Sequence, residues 1–265
     1  MTTRTLLVDA DLLAYRSSAA TQRSYDWNGD GNKSTAASFD DAKAAAEAEL
    51  ERLIDILKPD EVTICLSDDF RSFRKDRIDP TYKELRSATE RPVYLYEIKD
   101  WMRSEYTVEE RPWLEADDVM GIIATDPSRT DERIMVSADK DMMTIPGKLY
   151  RPHVQKDPKR PLIFDITPIQ AIRFHFWQTI VGDQTDGYPG APGVGAKSIW
   201  AESVLEAEDE LEAWEDVLCA FYSKGLDEHD ALVQARLARI LQHQDYDGVR
   251  PILWLPPYLS EAERE

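Results

Sequence analysis

Two aspartates three residues apart, Asp183 and Asp186, stand just before the run GYPGAPGVGAKSI. That spacing lets both carboxylates leave one side of a helical turn. The run itself reads as a tight turn leading into a helix. Within it Gly190, Gly193 and Gly195 allow backbone N–H groups to approach a phosphate, with the positive end of the following helix behind them and Lys197 adding a cation. More acids fall at the ends of expected elements: Asp9 after RTLLV, Asp68 after EVTICLS, Glu115, Asp117 and Asp118 in LEADDV, and Asp139 and Asp141 in SADKD. Gathered in one place, so many anions would repel one another and push several pKa values up unless cations shared the site. The four histidines are scattered and no Cys/His cluster accompanies the acids. Oxygen-only ligation favours Mg²⁺ or Mn²⁺ over zinc. Two such ions about 4 Å apart suit in-line hydrolysis of a phosphodiester. Taken singly, each fragment has a plain structural use: acids at a helix N-terminus, a capped turn, an N-cap. Their joint occurrence at element ends favours metal binding.

The elements that must position these acids alternate. Strands are expected over 4–9, 61–67, 106–111, 133–137 and 162–165, and helices over 11–20, 38–57, 93–103, 114–125 and 167–181. This order argues for an α/β fold, a mainly parallel central sheet with helices on both faces, whose functional groups cluster at the carboxyl ends of the strands. Residues 1–181 form this part and residues 182–265 a helical region, with an acidic helix over 202–216, a helix over 229–243 and a last strand over 249–254. Residues 22–35 are a loop or hairpin. Asp26, Asn28, Asp30 and Gly31 there imitate the start of a calcium loop, but Ala37 stands where the twelfth-position acid belongs, so a turn is the better reading.

Between strand and helix lies a basic, aromatic-interleaved segment, 70–91, within an arch or gateway region spanning 70–105. It carries Arg71, Arg74, Lys75, Arg77, Lys83, Arg86 and Arg91. Read as a strand-guiding helix, it sets Lys83 and Arg86 on one face, with Tyr82 beside them to stack on a base. Arg86 suits a bidentate grip on phosphate and Lys83 a point charge near the scissile group. Read plainly, the segment is a solvated amphipathic helix.

With 265 residues the chain can bury a sizeable core. No run of about 18 apolar residues marks a membrane span, and MTTRTLLVDADLLAY reads as a first strand rather than a signal peptide. Cys65 and Cys219, far apart in apolar segments, read as buried free thiols of a reducing cytoplasm. The net charge of −19 disfavours nucleic acid as a whole. Its distribution matters more: residues 202–216 hold eight acids and no base, while the bases gather in 71–91. Such a chain binds DNA locally, with steep salt dependence.

The segments LLVDADLLAYR, FRKDRIDPTYKELR, LEADDVMG, VSADKDMMTIPG and GDQTDGYPGAPGVGAK together resemble the flap endonuclease family of 5′-nucleases over nearly the whole chain. FHFWQTIVGDQTDGY and ARLARILQHQDYDGVRPILWLP are similar to the bacteriophage 5′→3′ exonucleases in particular. The resemblance implies a PIN-like 5′-nuclease fold. It implies an enzyme that removes 5′ nucleotides from double-stranded DNA, cleaves 5′ flaps and acts on RNA in RNA–DNA hybrids, in a host-cell cytoplasm if phage-encoded. The metal carboxylates would be Asp9, Asp68, Glu115, Asp117, Asp118, Asp139, Asp141, Asp183 and Asp186, with strand phase selecting Asp68 over Asp69. The gateway pair would be Lys83 and Arg86. A helix–three-turn–helix gripping duplex backbone with the help of K⁺ would span Tyr188 to Ile199. Two other readings stand beside it: a PIN-like ribonuclease, and a non-catalytic acidic module holding structural ions.

Overall fold

Strand β1, Arg4–Asp9, is buried along Thr5–Val8, and its continuous apolar run marks a strand covered on both faces. In the computed structural model, which describes residues 2–26, 34–85, 90–152, 154 and 162–259, it lies mid-sheet. It pairs in parallel with β4, Glu61–Leu66, on one side and β6, Glu132–Val136, on the other. The sheet runs β5-β4-β1-β6-β7-β8, with β5 Thr107–Glu110, β7 Gly147–Tyr150 and β8 Ile163–Ile166; only β8 is antiparallel. The order reverses around β1, so the opening between neighbouring crossovers falls at its carboxyl end, where Asp9 stands.

The two-residue period of the strands divides the core. Leu6, Val8, Ile64, Leu66, Ile134 and Val136 face one side, beneath α1 (Ala10–Thr21), α2 (Phe39–Leu57) and α4 (Leu95–Glu105). Leu7, Cys65 and Met135 face the other, beneath α5, Ala116–Ala124. A third core joins α6 (Pro168–Val181), α7 (Ile199–Glu206), α8 (Glu210–Tyr222) and α9 (Glu228–Ala238) around Phe176, Trp214, Phe221 and Trp254. Helix α6 also packs on the 3₁₀ turn Asp141–Thr144, so the regions expected as 1–181 and 182–265 share this helix. No helix among the described residues is long and apolar enough to cross a membrane.

Several expectations are corrected. Among the described residues of the 70–91 segment, α-helix is confined to α3, Phe73–Arg77, because Pro80 interrupts it and Lys83 takes a left-handed φ of 56°. The acidic 202–216 stretch is two helices: Asp209 caps α8 by accepting from Glu212 N at 2.9 Å. The helix expected to reach 243 ends at Ala238, and the strand over 249–254 is only a bridge between Tyr246 and Pro251. Strand β7 carries too few apolar residues to read as a strand alone; pairing on both sides makes it one. A two-stranded hairpin, β2 Arg23–Tyr25 and β3 Ser34–Ala36, flanks Asn28, Asp30 and Gly31, which lie outside the described residues. Cys65 is buried as expected, but Cys219 is exposed on α8.

Past α9 the chain returns to the sheet and lays Ile240 and Leu241 against α5. The contact is backbone-close: a Cβ on Gly121 would sit 2.3 Å from Leu241 O. Gly121→Ala should therefore cost about 1–3 kcal/mol despite alanine's better helix propensity, as read from urea unfolding.

Candidate metal centre

Asp9 caps α1, accepting from Leu12 N at 3.1 Å, and takes a hydrogen bond from Ser137 Oγ at 2.7 Å. Ser137 Oγ in turn accepts from Asp139 N at 3.0 Å, and Asp139 Oδ1 accepts from Asp141 N at 2.9 Å. The ends of β1 and β6 are thus tied into one acidic chain. Burial lifts the Asp9 carboxyl to about 6 against the hydrogen bond from Ser137. Burial and then Asp139 lift Asp141 to about 7. Asp141 Oδ1 is buried without a hydrogen-bond partner, with Lys140 Nζ 4.0 Å away.

The second bank is the N-terminus of α5, where Glu115 and Asp118 form a capping box. Glu115 receives Lys83 Nζ on both oxygens at 2.8 Å and the Tyr82 hydroxyl at 3.2 Å. Oxygens of Glu115, Asp117 and Asp118 lie within 4.8 Å of one another. Burial, then Asp118 and Glu115, push Asp117 well above the usual carboxylate range. Proximity makes Asp118 a third member of this cluster, but its bonds make it the counter-ion of Arg74. Arg74 Nη1 and Nη2 reach Asp118 at 2.7 and 2.8 Å, while Leu241 N and Glu115 N fill the remaining acceptor sites. Asp118, expected as a metal ligand, thus stands within the acidic cluster and is held there by Arg74.

The third bank is the turn after α6. Gly182, at φ 75°, ends the helix, and Asp183 Oδ1 accepts from Thr185 N at 2.8 Å and Asp186 N at 3.3 Å. The two aspartates therefore meet through a side-chain-closed turn, sealed by the Asp183–Tyr188 bridge, and not through a helical turn. Although burial works against it, the Thr185 N–H and then Lys140 keep Asp183 below the ordinary carboxylate value. Asp186 lies 3.3 Å from the Tyr82 hydroxyl and 3.6 Å from Lys83 Nζ, and its carbonyl accepts from Lys83 N at 2.9 Å. The gateway segment is thereby stapled to this turn.

The residues present fit hard divalent cations. The donors are all oxygen, two lysines already stand among them, one buried carboxylate oxygen has no donor, and three acids are held with their charge disfavoured. Asp9, Glu115, Asp117, Asp139, Asp141, Asp183 and Asp186 form this set. Asp68 stands apart: Oδ1 accepts from Phe70 N and Arg71 N and Oδ2 from Trp113 N at 2.9, 3.2 and 2.9 Å, so it clasps a loop. Asp69 is bound by Lys99 and Arg103, and Lys99 also pairs with Asp11 at 2.9 Å.

The expected DNA contacts divide. Tyr82 is only 4% exposed and packs with Tyr188, Leu237 and Ala238, so it cannot stack on a base; its role is the hydroxyl between Glu115 and Asp186. Arg74, 1% exposed, binds Asp118 and the carbonyls of Leu237 and Arg239 and is not a phosphate contact. Gly190 is needed for packing: a Cβ would meet Ile180 O at 2.3 Å, and its N–H goes to Gln234. Gly193, Gly195 and Lys197 are exposed as a phosphate-approaching loop requires, anchored by buried Val194. Arg86 lies outside the described residues. Ser137 and Lys140 were missed as site residues, though both flank acids within SADKD.

The raised acids fix the sign of a pH effect. Asp9 and Asp141 bind more protons folded than unfolded between about pH 4 and 7, so their contribution to stability falls as pH rises through that window. A divalent ion replaces those protons, and its gain in Tm should be larger at pH 8 than at pH 5.5. At 100-fold excess over Kd it should reach about 2.7 kcal/mol, roughly 5–10 °C, by thermal unfolding with Mn²⁺ against chelator. Asp117→Asn should raise Tm in chelator and remove most of the Mn²⁺ gain. Arg74→Met leaves Asp118 buried without its counter-ion and should cost about 3–5 kcal/mol in urea unfolding, with or without metal.

Comparison with known proteins places the chain in a family and shows which fold it shares. The family described as 5′-3′ exonuclease, N-terminal resolvase-like domain, matches residues 4–156. The exodeoxyribonuclease of Enterobacteria phage T3 is 33% identical over 217 residues, covering 70% of each chain. The exonuclease of Escherichia phage T7 is 30% identical over 219 residues, covering 70% of this chain and 71% of its own. Among solved structures, the T5 D15 protein crystallised with metal ions superposes with a TM-score of 0.62 at 13% identity over 89% of each chain. The T5 5′-exonuclease with bound zinc gives 0.58 at 15% identity, covering 89% of this chain and 93% of its own. The PIN-type, resolvase-like fold is therefore shared with the T5 enzyme, and the chain belongs to the 5′–3′ exonuclease family.

Proposed function

We propose that this chain is a divalent-metal-dependent nuclease that hydrolyses phosphodiesters of duplex DNA from 5′ ends and at 5′ flaps, and acts on RNA in RNA–DNA hybrids. The observation that carries it is the convergence of three acidic banks, from β1/β6, α5 and the turn after α6, on Lys83 and Lys140. Asp9, Glu115, Asp117, Asp139, Asp141, Asp183 and Asp186 would hold two Mg²⁺ or Mn²⁺ ions. When bound, such ions supply an activated water and stabilise the leaving oxygen. Lys83, held against Glu115 and Asp186 by a left-handed backbone, keeps a positive charge where a phosphate must enter. The Tyr82 hydroxyl fixes the separation of Glu115 from Asp186. The exposed loop at Gly193, Gly195 and Lys197, ahead of α7, would take the duplex backbone, with K⁺ assisting. A complex of the T5 D15 flap endonuclease with DNA and metal ions, TM-score 0.56, supports the flap reading. The cytoplasm, that of the host for a phage protein, suits the free thiols.

Cleavage ladders on 5′-labelled and 3′-labelled duplexes, with and without Mg²⁺, test polarity and metal need together. Asp183→Ala should abolish cleavage while leaving measurable DNA binding. Full cleavage by that variant, or single-stranded RNA as the better substrate, would overturn the reading.

A further inference from the structure

The base-stacking role cannot fall to Tyr82, but another aromatic stands in the open. Phe70 is 95% exposed, and among the described residues its ring stacks on no other. Exposure this complete on a free-moving loop would mean little, since single apolar residues in water are common. Here the loop is held from three directions. Asp68 accepts from the N–H groups of Phe70, Arg71 and Trp113. Arg71 lies over the Trp113 ring at 4.8 Å and binds Asp76 through Nε and Nη2 at 3.0 and 2.7 Å. Trp113 takes a φ of 67°, a left-handed conformation unfavourable for a bulky residue, and its carbonyl accepts from Phe73 N at 3.0 Å. The backbone thus presents the ring to solvent, and strain is accepted in the clasp that does so.

The location identifies the occupant. Cys65 is in register with Asp9, so Phe70 follows five residues after the metal edge of the sheet, and Trp113 precedes Glu115 by two. Arg71 and Lys75 are exposed beside it, in a chain whose net charge is −19. An aromatic held on the loop that leaves the carboxyl edge of the sheet, where Ser67 Oγ accepts from Ala116 N at 2.9 Å next to Asp117, has the chemistry of a stacking platform for nucleic acid, because every base offers a π-face whatever its sequence. We propose that Phe70 is a positioning residue that stacks on one nucleobase of the substrate strand beside the scissile phosphate. This rests on the proposed DNA substrate.

The test is steady-state cleavage of a 5′-recessed duplex in Mg²⁺ by wild type, Phe70→Ala, Phe70→Leu and Phe70→Trp. Phe70→Ala should raise KM about 5- to 150-fold with kcat changed less than about threefold, Phe70→Trp should restore it, and Phe70→Leu should not. An abasic nucleotide walked along the strand should reproduce the loss for wild type at one position and change nothing further for Phe70→Ala. An unchanged KM, a leucine as good as tryptophan, or no position-dependent abasic effect would overturn the proposal. So would a large fall in Tm for Phe70→Ala, since it would mean that the ring is structural. Wild type inert on every DNA substrate would instead remove the proposed function, and this inference with it.

Discussion

Mutual repulsion among carboxylates at the carboxyl edge of the sheet is the constraint that the rest of the molecule answers. Asp9, Asp139 and Asp141 arrive from β1 and β6, Glu115 and Asp117 from α5, and Asp183 and Asp186 from the turn after α6. Held this close and partly out of water, they could not all stay charged without cations. Two lysines supply part of the charge from within the chain, and neither is buried with a single partner as a structural ion pair would be. What is left uncompensated is what a divalent ion is built to take up.

Arg74 keeps that tension from spreading into the core. Its guanidinium is shared between Asp118, Glu115 and the carbonyls of Leu237 and Arg239, so one side chain neutralises the inner acid of α5 and fastens the end of α9 beneath it. Leu241 N closes the same knot on Asp118, and Gly121 makes room for the segment that carries it. The C-terminal helices are consequently fixed relative to the sheet at the point where the third acidic bank must face the other two. A second buried pair, Arg239 with Asp245, continues this stitching away from the site.

The acidic charge of the chain ceases to be paradoxical once it is located. Of the acids of 202–216, Asp209 caps α8, and Glu202, Glu210 and Glu212 sit in the first turns of α7 and α8, where the helix dipole favours them. Arg71, Lys75 and Arg77, and Lys197 in the loop ahead of α7, are among the exposed bases.

How much of this was legible beforehand follows from the range of the forces involved. Strand and helix order, the class of fold and the acids at element ends depend on local periodicity and capping, and the sequence by itself determined them. It also carried family membership, because LEADDV, SADKD and GDQTDG are short contiguous motifs. Which acids face one another was a tertiary decision. Asp117 and Asp118 are neighbours in sequence, yet one stands in the bowl and the other is consumed by a guanidinium 44 residues away. Tyr82 and Arg74 read as surface residues of a basic helix, but Arg74 turns from α3 toward Asp118 and Tyr82, past the break at Pro80, turns inward toward Glu115. Phe70 gave no signal, because a loop's direction is set by long-range bonds such as Asp68 with Trp113 that no window of neighbouring residues contains.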